Sequence, residues 1–377
     1  MPLPLAAVFA DLPDPRRETA NKWHHLTDIL TLATCAVLAG ADTWDAIAAY
    51  GRAKEAFFRR FLPLANGIPS PDTFARVFAK LDPTAFPTAF GRWMAAACDG
   101  TGLTPIAIAI DGKAARSAPR NTATGCLTVV TAWATGNRLT LGQVAVPDGA
   151  NEIAAIPDLL RTLELKGAPV TLDAAGCQTA NCRIITAAGG DYLLAVKDNQ
   201  PTLAAAVRAA FERACDGDFA GVRHDTFHQS ETGHGRDEER SVTVICDPDG
   251  LPFEWVGAAA VVRVNRERVA GGVRASTTHY YLSSFAGGAK MLGAAVRGHW
   301  GIENGLHWVL DVVFGEDDSR VRAGHAGANL ATVRRVAVSL LRRAPGKMTT
   351  PTKRLRAGWD DDYLLEILQG FTANEVR

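Results

Sequence analysis

The chain has 377 residues, 47% of them hydrophobic and 21% charged, which suits a globular protein of two or three domains with a buried core. Forty basic residues balance forty acidic ones, so net charge alone excludes no class of partner. The longest early apolar stretch, residues 29–41, is too short and too threonine-marked for a bilayer, and seven scattered cysteines without a CxxC pair read as reduced thiols rather than zinc ligands; a cytoplasmic chain with no signal peptide or membrane anchor is expected.

Residues 1–98 read as a small all-helical domain, broken at Gly40, Gly51, Gly67 and the turn Pro69-Ser70-Pro71. Ser70, Pro71 and Asp72 make a helix start, and Phe74, Val77, Phe78 and Leu81 follow at helical spacing. From Pro105 the pattern turns to strands. Ile106 to Ile110 is apolar throughout, as in a strand covered on both faces, and Asp111 follows directly. Strands are predicted over 127–134 and 138–146, around the turn Thr135-Gly136-Asn137. A helix over 153–165 comes next, with Pro157 in its first turn. Residues 169–172 form a short strand that again ends on an aspartate, Asp173. A helix over 178–188 and a strand over 192–196 complete the run.

Strand, strand, strand, helix, strand, helix, strand is the element order of the ribonuclease-H-like fold. The expected fold class is therefore α/β (α+β), with a catalytic core over 103–345. A helix over 203–215 and strand-like runs at 241–245, 258–264 and 277–282 read as a β-rich insertion over about 200–288. A long helix is predicted from Lys290 past Glu303 toward Phe314, and 346–377 reads as a basic C-terminal tail.

In the ribonuclease-H-like fold the first and fourth strands are neighbours, which sets Asp111 beside Asp173. With Glu303 on the closing helix, three carboxylates meet the needs of two magnesium ions about 3.5–4 Å apart that cleave a phosphodiester; manganese would substitute. Glu303, His307 and Asp311 share a helix face at i, i+4 and i+8, although His307 and Asp311 read equally as a hydrogen-bonded surface pair. Trp300 is placed to stack on an unpaired base, whereas Trp308 points away and reads as core. Between Asp318 and Asp360 there is no acid, yet Arg320, Arg322, Arg334, Arg335, Arg342, Arg343, Lys347, Lys353, Arg354 and Arg356 all occur. That is a polyanion-binding signature, or else a pair of helices with solvated arginines.

Several segments carry a family resemblance. They are Trp44-Asp45-Ala46-Ile47-Ala48-Ala49-Tyr50-Gly51, Asn66 to Phe74, Asp111-Gly112-Lys113, Asn151-Glu152-Ile153, Asp173-Ala174-Ala175-Gly176-Cys177-Gln178, Gly190-Asp191-Tyr192, His299-Trp300-Gly301-Ile302-Glu303-Asn304, Leu306-His307-Trp308, and Asp311 to Phe314 with Asp317, Arg320 and Arg322. In order and spacing, from about residue 5 to 345, the chain resembles insertion-sequence transposases of the DDE type related to H-repeat-associated proteins of Rhs elements. The resemblance implies a ribonuclease-H-like core, a helical N-terminal domain for the DNA ends, and Asp111, Asp173 and Glu303 as the catalytic and metal-holding positions. Hairpin-forming relatives carry Tyr-x2-Arg-x3-Glu-x6-Lys on the closing helix. Here Val296, His299, Glu303 and Leu310 stand in those places, and only the Glu is kept. Asp198 stands where relatives tend to have glycine.

The expected partners are double-stranded DNA, both transposon ends and target, and further copies of the chain in a synaptic complex at the nucleoid. The side chains expected to meet DNA are Lys113, Lys197, Arg297, His299, Trp300, Asn304, His307, Arg320, Arg322, Arg342 and Arg343. Competing readings are a ribonuclease-H-like nuclease, a domesticated transposase that binds DNA without cutting, and a carboxylate-pair sugar hydrolase.

Overall fold

Residues 4–18, 22–99, 107–119, 126–147, 149–233 and 236–369 are described by a computed structural model. In chain order the elements are α1 (Pro4–Val8), α2 (Leu26–Leu38), α3 (Trp44–Ala53), α4 (Glu55–Phe58), α5 (Pro71–Lys80), α6 (Ala85–Asp99), β1 (Ile108–Pro119), β2 (Cys126–Ala134), β3 (Leu139–Ala145), α7 (Glu152–Arg161), β4 (Pro169–Leu172), α8 (Thr179–Ala187), β5 (Asp191–Val196), α9 (Pro201–Asp216), β6 (His224–Gly233), β7 (Arg236–Cys246), β8 (Ala260–Ala270), β9 (Val273–Ser283), α10 (Ala289–Ile302), α11 (Trp308–Val312), α12 (Ala326–Arg343), α13 (Thr350–Trp359) and α14 (Asp361–Gln369). The result is a mixed α/β architecture whose strands pair in the order β3-β2-β1-β4-β5-β9-β8-β7-β6. No helix among the described residues is long and apolar enough to cross a membrane.

Two compact units divide the chain. The first comprises Met1–Thr104, Gly112–Asn151 and Ile302–Arg377. Its core is built on α12, whose Val333, Val336, Ala337 and Leu340 are buried, as are Ile29, Leu30 and Ala33 of α2. The α5 start is as predicted: Ser70 accepts from the Thr73 N–H, with Pro71 in the first helical turn. Gly51 does not break a helix but lies inside α3, where a Cβ would come 2.8 Å from Ile68 Cγ2. The expected basic tail is instead two packed helices. Arg354 of α13 donates to the Val37 carbonyl and to Asp42, and Lys353 donates to the Ala344 carbonyl. These bonds bury both cations.

The second unit comprises Pro105–Asp111 and Glu152–Gly301. Here β1 runs parallel to β4, with Ile108 opposite Val170 and Ile110 opposite Leu172, and β4 runs parallel to β5. The strands of the predicted insertion do not form a separate sheet: β9 pairs antiparallel with β5, Leu194 opposite Leu282, and β8, β7 and β6 follow as an antiparallel meander. Val242, Val244, Val262, Leu292 and Ala295 form a buried cluster that packs α10 onto these strands.

Three elements differ in their bounds or pitch from those expected. Strand β1 continues through Asp111 to Pro119, so Asp111 lies within a strand, while Ile106 lies outside the described residues. Helix α7 starts at Glu152, which puts Pro157 inside it rather than in its first turn. The predicted helix past Glu303 changes pitch: α10 ends at Ile302, Glu303–His307 form a π-helical segment, and α11 resumes at Trp308.

Candidate active site

Parallel pairing of β1 and β4 brings two acids into adjacent register, since Asp111 follows Ile110 and Asp173 follows Leu172. Asp173 opens a tight turn, its Oδ1 accepting from the Gly176 N–H at 2.9 Å. The Asn199 amide donates to the Ala174 carbonyl at 2.7 Å and fixes the far side of that turn. Two residues before Asp173, Thr171 Oγ1 lies 2.9 Å from His299 Nδ1 of α10. Burial pulls the His299 pKa below its ordinary value, against the opposing effects of Asp173 and the Thr171 backbone. At the start of α7, Glu152 is pushed the other way, upward, by burial and then by the charge of Asp173. Sequence reasoning did not single out Glu152; its place in the Asn151-Glu152-Ile153 segment was the available signal.

Glu303 opens the π segment and is exposed, whereas His307 is buried, its Nδ1 3.6 Å from Glu303 Oε2. A π turn is wider than an α turn and recurs at functional sites. Within it the Gly305 carbonyl accepts from Arg342, whose guanidinium also lies over the Trp133 ring. Asp111 and Asp173 lie side by side in the second unit, and Glu303 and His307 lie together in the first. Carboxylates and an imidazole are donor types that fit a divalent cation. Asp311, expected on the same face, pairs instead with Lys113 at 2.6 Å.

Other residues expected on DNA are placed differently. Lys113 is buried among Asp311, Asp317 and Glu316, so its charge is already spent on three carboxylates. Arg297 makes a two-pronged pair with Glu231 of β6. His307 is buried beside Glu303 rather than on the surface, and His299 is bonded to Thr171. The basic tract is largely structural: Arg335 pairs with Glu316 at 2.8 Å, Arg334 and Arg354 are buried, and Arg342 is half-buried against Gly305, as Arg343 is half-buried beside it. Lys197, Asn304, Arg320 and Arg322 are exposed. Trp300 is 58% exposed, and burial pushes the Tyr281 pKa up to about 12. Trp308, expected in the core, is 53% exposed.

Residues 81–340 match the family described as Transposase DDE domain, and residues 6–94 match the domain described as DDE_Tnp_1-associated. The "H repeat-associated putative transposase YhhI" of Escherichia coli strain K12 is 37% identical over 364 residues, covering 94% of this chain and 95% of that one. An uncharacterized protein from the dhlA 3' region of Xanthobacter autotrophicus is 45% identical over 262 residues, 69% of this chain and 87% of that one. A piggyBac transposase synaptic complex with hairpin DNA aligns at a TM-score of 0.41 with 8% identity, over 96% of this chain and 76% of that one, a likeness too distant to assign anything.

Proposed function

We propose, from the premise that this chain belongs to the DDE transposase family, that it binds the ends of an insertion sequence, cleaves them by metal-dependent hydrolysis and joins them to target DNA. The catalytic part is a ribonuclease-H-like core, and the helices of residues 1–98 bind the ends. Double-stranded DNA is the substrate, held at the nucleoid by more than one copy of the chain.

What supports this reading is the register that puts Asp111 beside Asp173 after the paired parallel strands β1 and β4. Glu303, with His307 Nδ1 3.6 Å from its Oε2, supplies the third acid. These residues would hold two divalent ions, magnesium or manganese, which supply an activated attacking oxygen and a stabilised leaving oxygen when bound. In hydrolysis, water attacks phosphorus and the strand leaves as a 3′-hydroxyl. In transfer, that hydroxyl attacks a target phosphodiester and displaces its 3′ oxygen. The chain contributes acceptors at fixed places: Asp111 within a central strand, Asp173 on a pinned turn, and Glu303 on the π segment.

The test is a cleavage assay on a labelled duplex carrying a transposon end. Asp111→Asn, Asp173→Asn and Glu303→Gln each remove one charge without changing shape, and each should abolish cleavage while the fold and end binding persist. Near-wild-type cleavage by any variant removes that residue from the set. Cleavage that survives a chelator sinks the metal mechanism, and a wild type that binds ends without cutting them belongs with DNA-binding proteins instead.

A further inference from the structure

The sheet ends on β3 at one edge and on β6 at the other. Helices close over β3: its Thr140 N–H donates to Ser339 Oγ of α12 at 3.1 Å, and a Cβ on Gly91 of α6 would come 2.5 Å from the Leu141 carbonyl oxygen. Strand β6 is open. Its ten residues, His224–Gly233, pair with β7 in unbroken register. The Cys246 N–H donates to the Arg223 carbonyl opposite it at 2.8 Å, and bonded pairs alternate along an antiparallel ladder. Asp225, Phe227, Gln229 and Glu231 therefore turn their backbone groups toward β7, while those of His224, Thr226, His228, Ser230 and Thr232 point away from it. All five of the latter residues are exposed. Open edges are ordinarily blunted by lysine, proline or a bulge, yet β6 contains neither residue and no register shift. Its other side chains face α10: Asp225 accepts from the Ala289 N–H at 2.7 Å, Glu231 pairs with Arg297, and Phe227 is half-buried against the cluster beneath that helix.

We propose that β6 joins two copies of the chain, pairing antiparallel with β6 of the second copy about a two-fold axis. A second copy fits because the strand is complementary to itself. Only the even-numbered residues offer outward bonds, so even must stand opposite even. Centred on Phe227, the ladder bonds Thr226 to His228 and His224 to Ser230 in both halves, sets the two Phe227 side chains next to each other, and puts Arg223 opposite Glu231. Those two charges keep their own surface partners, Asp247 and Arg297, so the backbone bonds and the covering of Phe227 supply the attraction. Centred on His228 instead, the ladder would oppose Asp225 and Glu231, acid against acid, in both halves. The inference rests on the transposase reading only for the use of the pair, which is to hold two DNA ends; the contact itself needs no DNA.

The experiment is sedimentation equilibrium of the full chain without DNA and in chelator. A strand edge is a small interface, so the wild type should dimerise with a Kd of about 1 to 100 μM. Thr226→Lys/His228→Lys places like charges opposite each other twice and should weaken the dimer by about tenfold. Thr226→Glu/His228→Lys alters the same two exposed positions but opposes unlike charges, and should dimerise at least as well as the wild type. His228→Pro removes an outward N–H that makes no bond to β7 and should also weaken the dimer; the two charge variants decide the matter even if the proline variant misfolds. A wild type that stays monomeric to about 200 μM overturns the proposal, as does a double-lysine variant that dimerises like the wild type. A glutamate–lysine variant as weak as the double-lysine one overturns the register and the proposal with it. None of these results touches the transposase reading, which fails separately if the wild type neither binds nor cuts a transposon end.

Discussion

His299 Nδ1 lies 2.9 Å from Thr171 Oγ1, a bond that ties α10 to β4 two residues before Asp173. Because burial lowers the His299 pKa from its ordinary 6.5, the folded protein keeps this ring neutral where the unfolded chain would protonate it. The resulting stability is present above the unfolded value and is lost as pH falls through it toward the lowered folded one. In chelator, the melting temperature of the wild type should therefore drop between pH 7 and pH 5, the His299 contribution being at most about 1.4 kcal/mol per pH unit. His299→Gln keeps a polar group in place without the titration and should flatten that part of the profile. An identical profile in the variant would show that other groups set the pH dependence.

Glu316, Arg335 and Lys113 form a buried charge network on which α12 and β1 both depend. Burial raises the Glu316 pKa, but Arg335, Arg334 and Lys113 outweigh it and hold the carboxyl below its ordinary range. Glu316 therefore stabilises the fold above the unfolded carboxylate pKa, and this is lost as pH falls through the lowered value. Glu316→Gln leaves Arg335 buried without its counter-charge and should cost about 3 to 5 kcal/mol in urea denaturation. Adding Arg335→Met should recover part of that loss. A single-variant cost below about 1 kcal/mol would mean that water satisfies Arg335 in its place.

The pair Asp111 and Asp173 is legible in the sequence because parallel strands buried on both faces leave short runs of apolar residues, unbroken from Ala107 to Ile110 and broken only by Thr171 between Val170 and Leu172, and an acid after such a run stands out. Strand β6 is not legible. Its side chains are mostly exposed on both faces, so no alternation marks it. The π segment is hidden for a different reason, since Glu303 and His307 at i and i+4 look the same in an α-helix. The arginine tract misleads because composition shows charge without partners. Arg354 is satisfied by Val37 and Asp42, far away along the chain, and nothing local announces those contacts.

Trp300 stands near the end of α10 with its ring 58% exposed. An exposed aromatic ring can stack on an unpaired base. Base–aromatic stacking contributes about 1 to 3 kcal/mol, so Trp300→Ala should weaken binding of a duplex with unpaired bases at the cleavage point by roughly fivefold or more. A fully paired duplex without that flank should be bound almost as before. Equal losses on both duplexes would place Trp300 on the backbone or in the fold instead.

His307 offers one nitrogen donor beside the Glu303 carboxylate, its Nδ1 3.6 Å from Oε2. Imidazole raises affinity along the first-row series, whereas magnesium prefers oxygen alone. A group of this composition should therefore take manganese at lower concentration than magnesium. His307→Ala should remove most of that difference, shifting the manganese requirement upward by roughly tenfold while changing the magnesium requirement less. Titrating each metal into the cleavage assay reads both numbers, and near-ultraviolet circular dichroism checks that the buried position tolerates alanine. If the two requirements rise together, His307 acts by holding Glu303 on the π segment, where its Nδ1 lies 3.6 Å from the carboxylate, and the metal preference must come from the carboxylates alone.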